Sequence, residues 1–166
     1  MSETTQDAAP VTVVETPISL DFSYTPGVAA SRFLRNLQQG RLMGQRCPKC
    51  QKVYVPPRGA CSMCGVATVE DVPLSGKGTV TTFCVTRIPS PGLEPPYVSA
   101  WILLDGADLT SMFLIQECDP ADVRLGMRVE PVWVDEADRK TDLGNIKYYR
   151  PIAEPDADYS TYKDYV

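Results

Sequence analysis

The chain of 166 residues contains no histidine. That absence removes the commonest general base near neutral pH and counts against many hydrolase and acyltransferase mechanisms run by this chain alone. No run approaches the ~18 consecutive apolar residues of a membrane span, and the N-terminus lacks the basic-then-apolar order of a signal peptide. Basic residues are the minority: 16 Lys and Arg stand against 21 Asp and Glu, a formal net charge of -5, which disfavours a nucleic-acid partner. Glycine-rich phosphate loops, nucleophile elbows and Walker patterns are missing too, and Gly76-Lys77-Gly78 is too short a signal to be more than a turn into a strand. Asp105, Asp108, Asp119 and Asp122 sit in or beside expected turns, where capping and solvation explain them. Independent catalysis is therefore not expected.

What the chain does have is cysteine in two close pairs, Cys47-Pro48-Lys49-Cys50 and Cys61-Ser62-Met63-Cys64, ten residues apart. Each two-residue spacing lets a tight turn aim two thiolates at one ion. With no histidine to share the work, a tetrahedral structural site must be all-cysteine, which suits one zinc with no position left for a substrate. A redox reading of either pair would call for a single motif at the start of a helix in a βαβ setting, and nothing here supports one. Paired motifs without an export signal point to a reducing cytoplasm. Cys84 and Cys118 are left over and read as small buried apolar residues in strands; Cys84 has no histidine to activate it as a nucleophile.

Along the chain, residues 1–24 read as a flexible polar leader or an arm that orders on a partner. Thr25-Pro26 offers a helix start, Val28, Ala29, Phe33, Leu34 and Leu37 recur at helical spacing, and Gly40 stops a helix assigned to 25–40. A zinc ribbon follows over 41–68, with short strands at Arg41–Arg46 and Val53–Val55 and a turn at Pro56-Pro57-Arg58-Gly59. From residue 69 to 152 the chain reads as all-β. Strand-like runs cover 77–88, 97–104, 109–117, 127–134 and 145–152, with a hairpin signal at Asp105-Gly106, a helical turn within 119–125, and Pro131 hinting at an edge or bulge. Five strands in this span suit a small closed barrel of the OB type, with a small β-sandwich as the competing architecture. Residues 153–166 form an acidic, tyrosine-bearing tail, read as solvated or, more sharply, as a docking segment.

The motifs in order are Gly40-Arg41-Leu42, the first cysteine pair, Val53-Tyr54-x-Pro56-Pro57-Arg58, Cys61-x-x-Cys64-Gly65, Leu74-Ser75-Gly76-x-Gly78-Thr79-Val80, Pro95-Pro96-Tyr97, Leu104-Asp105-Gly106 and Gly126-Met127-x-Val129. From about residue 24 to 152 this series resembles a widespread domain-of-unknown-function family that joins an N-terminal helix, a rubredoxin-like zinc ribbon and a C-terminal OB fold. Segment 135–144 and the tail lie outside the matched motifs.

The resemblance implies a non-catalytic accessory subunit of a thiolase-fold enzyme acting on an acyl-CoA. Such enzymes include thiolases, hydroxymethylglutaryl-CoA synthases and steroid side-chain retro-aldolases, in lipid, steroid or aromatic metabolism. It further implies a heterotetramer in which this subunit helps form or close the acyl-CoA site. Arg58 and Arg87, beside the two proline-rich segments, are the candidates to meet the CoA phosphates. The stiff segment Pro89–Pro96, ending in Pro95, Pro96 and Tyr97, is the candidate partner or substrate loop. The alternative is a stand-alone OB-fold module for nucleic acid or acyl-CoA, with Phe83, Trp101 and Phe113 as its aromatic components.

Overall fold

The computed structural model describes residues 12–16 and 18–166; within the expected leader, residues 1–11 and 17 lie outside the described residues. Helix α1 runs from Val28 to Gln38, followed by strands β1 (Leu42–Arg46), β2 (Val53–Tyr54), β3 (Glu70–Leu74), β4 (Gly78–Thr86), β5 (Tyr97–Leu104), β6 (Thr110–Ile115), β7 (Arg128–Trp133) and β8 (Ile146–Pro151). The helix starts later than Thr25-Pro26 suggests. Gly27 is its N-cap and, lacking a side chain, makes no side-chain cap bond; the Ser31 N–H donates to the Gly27 carbonyl and the Ser31 hydroxyl to the Pro26 carbonyl.

Strands β1, β2 and β3 make a small antiparallel sheet in the order β2-β1-β3. The remaining five close into a barrel, β4-β5-β6-β8-β7, with β4 returning to β7 through Gly78↔Val129 and Thr79↔Arg128. A three-strand meander, a fifth strand inserted between third and fourth, and a single parallel pair at Ile115↔Tyr149 make the OB topology and dismiss the β-sandwich. Gly106, at φ +85°, turns the β5–β6 hairpin, a conformation that side chains with a Cβ rarely adopt. Pro131 lies two residues beyond the last β4 contact of β7, where its missing N–H costs no ladder bond to β4.

One core runs through the molecule. Phe33 and Leu37 of α1, Leu42 of β1 and Val53 and Val55 of the ribbon are buried with Val80, Ile102, Val129 and Tyr149 of the barrel. The ribbon is also stitched to the β5–β6 hairpin. Asp108 accepts from the Val53 N–H at 2.8 Å, the Asp108 N–H donates to the Val53 carbonyl at 3.0 Å, and the Ser111 hydroxyl donates to the Val55 carbonyl at 3.1 Å. Segment 135–144 is closed by buried Asn145, whose side chain bonds the Lys140 N–H and the Lys140 and Asp142 carbonyls.

Two expectations are corrected. Cys84 is exposed on β4, and Cys118 follows β6 outside any strand and is only half-buried; past the bulge between Val80 and Thr82, Cys84 turns outward between the half-buried Phe83 and Val85. The tail is not simply solvated. Its acidic residues meet barrel cations in the pairs Glu154–Lys77, Glu154–Arg128 and Asp156–Arg124; the Ala157 N–H donates to the Gly126 carbonyl; and Tyr162 is 5% exposed. Those cations are scattered through the sequence, so only folding gathers them.

Candidate functional site

The two cysteine turns are built alike. In the first, the Cys47 N–H donates to the Lys52 carbonyl and the Gln51 N–H to the Cys47 carbonyl; in the second, the Cys61 N–H donates to the Val66 carbonyl and the Gly65 N–H to the Cys61 carbonyl. Each needs a left-handed residue four places after its first cysteine, supplied by Gln51 at φ 64° and Gly65 at φ +66°. In the first turn the Lys49 and Cys50 N–H groups also point at Cys47 Sγ, both at 3.4 Å.

The four sulfurs of Cys47, Cys50, Cys61 and Cys64 lie within 4.8 Å of one another, with Cys50 Sγ 3.6 Å from Cys61 Sγ. A tetrahedron with metal–sulfur bonds of ~2.3 Å places its sulfurs about 3.8 Å apart, so the donor set fits one zinc. Cys47 and Cys61 are buried. The Tyr54 hydroxyl sits 3.1 Å from Cys61 Sγ, and its hydrogen bond, offsetting the opposing effect of burial, lowers that thiol to about 6. The Arg58 guanidinium lies over the Tyr54 ring, 5.7 Å from its centroid. A short chain of contacts thus runs from Cys61 through Tyr54 to Arg58.

Arg58 stands at an apolar groove of about 340 Å³ between α1, the ribbon and the barrel. Phe33 and Leu37 form its helical wall, Leu42, Val55 and Pro56 its ribbon wall, and Trp101, Met112 and Phe113 its barrel wall, with Leu143 and Ile146 closing one side. Trp101 and Met112 are register partners on β5 and β6, and they remain 45% and 62% exposed. In OB barrels the ligand-binding face is formed by the second and third strands with the loops between the first and second and between the fourth and fifth. Here the apolar groove takes in the strand face and Leu143 of the β7–β8 loop, the β4–β5 loop contributes no lining residue, and Arg58 is the one cation among those lining it.

The other sequence candidates lie elsewhere. Arg87 borders a hollow with Val85, Pro96 and Pro120, and shares no lining residue with the groove, so the two candidate arginines are not brought together. Pro96 and Tyr97 line a separate hollow of about 260 Å³ with Leu93, Glu117 and Cys118, while Pro95 precedes a cis bond to Pro96. Phe113 leans on Tyr149 with ring centroids 4.6 Å apart, and Phe83 packs against the core, which leaves Trp101 as the outward aromatic of the three. Met112 and Leu143 were missed by sequence reasoning. The unpaired apolar excess at alternate positions of β6 was the available signal for Met112; nothing local marks Leu143.

Residues 36–70 match the family described as the ChsH2 rubredoxin-like zinc ribbon domain, and residues 71–134 the family described as the ChsH2 C-terminal OB-fold domain. A DUF35 domain-containing scaffold protein of Methanocaldococcus jannaschii is 43% identical over 96 residues, covering 55% of this chain and 67% of that protein. A second, from Pyrococcus furiosus, is 31% identical over 105 residues, covering 61% of this chain and 76% of that protein. The chain belongs to the DUF35 family. Among solved structures, this DUF35 chain is similar to a chain of an "Ltp2-ChsH2(DUF35) aldolase", with a TM-score of 0.59 and 25% identity over 78% of this chain and 98% of that one. The zinc ribbon and OB barrel of the DUF35 chain are thus the shared core of the family, and the four-cysteine cluster is its zinc site.

Proposed function

We propose that this chain is a non-catalytic accessory subunit of a thiolase-fold enzyme, and that it helps to form or close that enzyme's acyl-CoA site. The observation that carries the reading is the apolar groove on the barrel face that binds ligands in other OB folds, open beside Trp101 and Met112 and bordered by Arg58. A groove with one cation and no basic track suits an apolar surface or an acyl chain with an anionic head better than a polyphosphate strand. The relatives support the same reading: two are named scaffold proteins, and the similar aldolase is named for two components, Ltp2 and ChsH2(DUF35).

In this reading the zinc holds the ribbon rigid, and through Tyr54 it sets the position of Arg58 at the groove. Arg58 meets a phosphate of the CoA moiety. Arg87 and the loop ending at Pro95, Pro96 and Tyr97 serve a second stretch of the interface, since they lie apart from the groove. The subunit works in the cytoplasm, and the assembly is a heterotetramer built on the enzyme dimer. No helix among the described residues is long and apolar enough to cross a membrane.

The test is co-expression with the thiolase-fold reading frames of the source organism, followed by size-exclusion chromatography with light scattering. A stable heteromer with one of them, whose acyl-CoA turnover falls at least tenfold with Arg58→Glu, is the expected result. A chain that stays alone with every such enzyme, or that instead shifts an RNA oligonucleotide at physiological salt, overturns the reading.

A further inference from the structure

Between Ile18 and Tyr24 the chain carries a pattern that its own fold does not use. Ile18, Leu20, Phe22 and Tyr24 alternate with Ser19, Asp21 and Ser23, and the four apolar side chains are 87%, 76%, 72% and 67% exposed. Alternation of this kind is the mark of a strand with one buried face, and in an extended chain it puts every second side chain on one side. The geometry agrees: the Phe22 and Tyr24 rings lie on a common side with centroids 6.3 Å apart. Yet residues 18–24 belong to no strand, and among the described residues none of their backbone groups is bonded to another backbone group. Four large exposed apolar side chains in seven residues are a patch that a partner would bury, and the backbone, solvated rather than paired, is free to join a strand edge there.

We propose that residues 18–24 are a docking strand that lays its Ile18–Leu20–Phe22–Tyr24 side on the thiolase-fold enzyme subunit and pairs with an open sheet edge there. This rests on the accessory-subunit reading and deepens it by naming the segment that holds the enzyme. Charge selects the kind of surface. The first basic residue of the chain is Arg32, whereas Glu3, Asp7, Glu15 and Asp21 all precede it. A lipid-surface segment sets lysines and arginines beside its apolar face, and a nucleic-acid arm is basic throughout; this arm is neither. An apolar strip beside a free strand edge, flanked by lysine or arginine, is the complementary protein surface. The arm also lies outside the two matched domains, which begin at residue 36, so it adds to the shared core rather than completing it.

The test uses the full chain and the thiolase-fold enzyme that co-purifies with it. Leu20→Asp combined with Phe22→Asp puts two charges on the apolar side, and Ser19→Asp combined with Ser23→Asp puts the same two charges on the polar side. Both variants are expected to fold with full zinc content. The first is expected to weaken binding by about a hundredfold or more, as loss of interface anchors does, and the second by about threefold or less. Hydrogen exchange is expected to show amides 18–24 protected only in the complex. If the wild-type chain binds no such enzyme, the accessory-subunit reading fails and this proposal with it. If the wild type binds and both variants bind equally well, the docking strand alone is wrong. If the apolar-side variant keeps the enzyme but dissolves a dimer of this chain, the arm covers a second copy, and the proposal is equally overturned.

Discussion

Removing the zinc should unfold the ribbon and leave the barrel standing. The ribbon's own buried cluster consists of Cys47, Tyr54 and Cys61, with Cys64, Val66 and Leu109 packed against it. Burial of a large side chain contributes about 1.5–3 kcal/mol, and only Tyr54 of the three is large, so this cluster supplies well under about 10 kcal/mol against the cost of ordering the ribbon. Structural zinc in small domains contributes ~10–16 kcal/mol at neutral pH, which makes the metal the larger stabilising influence. The ribbon shares the larger core only through Leu42, Val53 and Val55, whereas Val80, Ile102, Val129 and Tyr149 are fully buried on the barrel's own strands and hold it closed. The assay is hydrogen exchange by mass spectrometry on zinc-loaded and chelator-stripped protein, with released zinc counted colorimetrically. One zinc per chain is expected. On stripping, the amides of Cys47, Gln51, Cys61 and Gly65, which close the two turns, should lose protection by several orders of magnitude, while β4 to β8 keep theirs. Stripped protein whose turn amides stay protected would refute the reasoning.

Three further outcomes follow from the barrel and its rim. The Tyr149 hydroxyl is buried without a hydrogen-bond partner, and burial pushes its phenol well above the usual range. Tyr149→Phe should therefore leave stability unchanged or raise it by about 1 kcal/mol in urea unfolding, and a loss larger than that would show that the hydroxyl is satisfied inside the barrel. A Cβ on Gly78 would lie 2.6 Å from Ile102 Cγ2 and 2.7 Å from the Leu103 carbonyl oxygen, which is backbone and cannot swing away. Gly78→Ala should cost about 2–3 kcal/mol, and a neutral result would mean that β4 and β5 can separate freely. The Tyr148 hydroxyl and Arg150 hold Glu117 below its ordinary 4.5, and Lys77 and Arg128 do the same for Glu154. Lowered carboxylates stabilise the fold above their unfolded pKa and lose that contribution as pH falls through the folded one. The zinc-loaded protein should therefore lose thermal stability as pH falls below about 4.5, and less steeply in Glu117→Gln with Glu154→Gln. Equal acid sensitivity in the double variant and the wild type would contradict this.

Much of the architecture is legible because its signals are local. Two-residue cysteine spacing needs only a tight turn, and the apolar run from Tyr97 to Leu104 coincides with β5 because a half-buried strand writes its pattern along its own length. Boundaries set by capping are less legible: Thr25-Pro26 has the chemistry of a helix start, but the first helical bond runs from the Ser31 N–H to the Gly27 carbonyl, which makes Gly27 the N-cap. The groove is the least legible part. Arg58, the Trp101–Met112 pair of the β5–β6 hairpin and Leu143 come from three distant stretches that only the tertiary fold joins, so the sequence pairs Arg58 with Arg87 by their proline neighbours when the fold separates them. The sequence leaves the tail between a solvated and a docking reading for the same reason, since Arg128 and Gly126 stand opposite Glu154 and Tyr162 only once the chain has folded.

The accessory-subunit reading is tested most directly by purifying the tagged chain from its native host at moderate salt and identifying what accompanies it by mass spectrometry. The expected result is a thiolase-fold enzyme in near-stoichiometric amount. Recovery of the chain alone, or with RNA and no enzyme, would contradict the account.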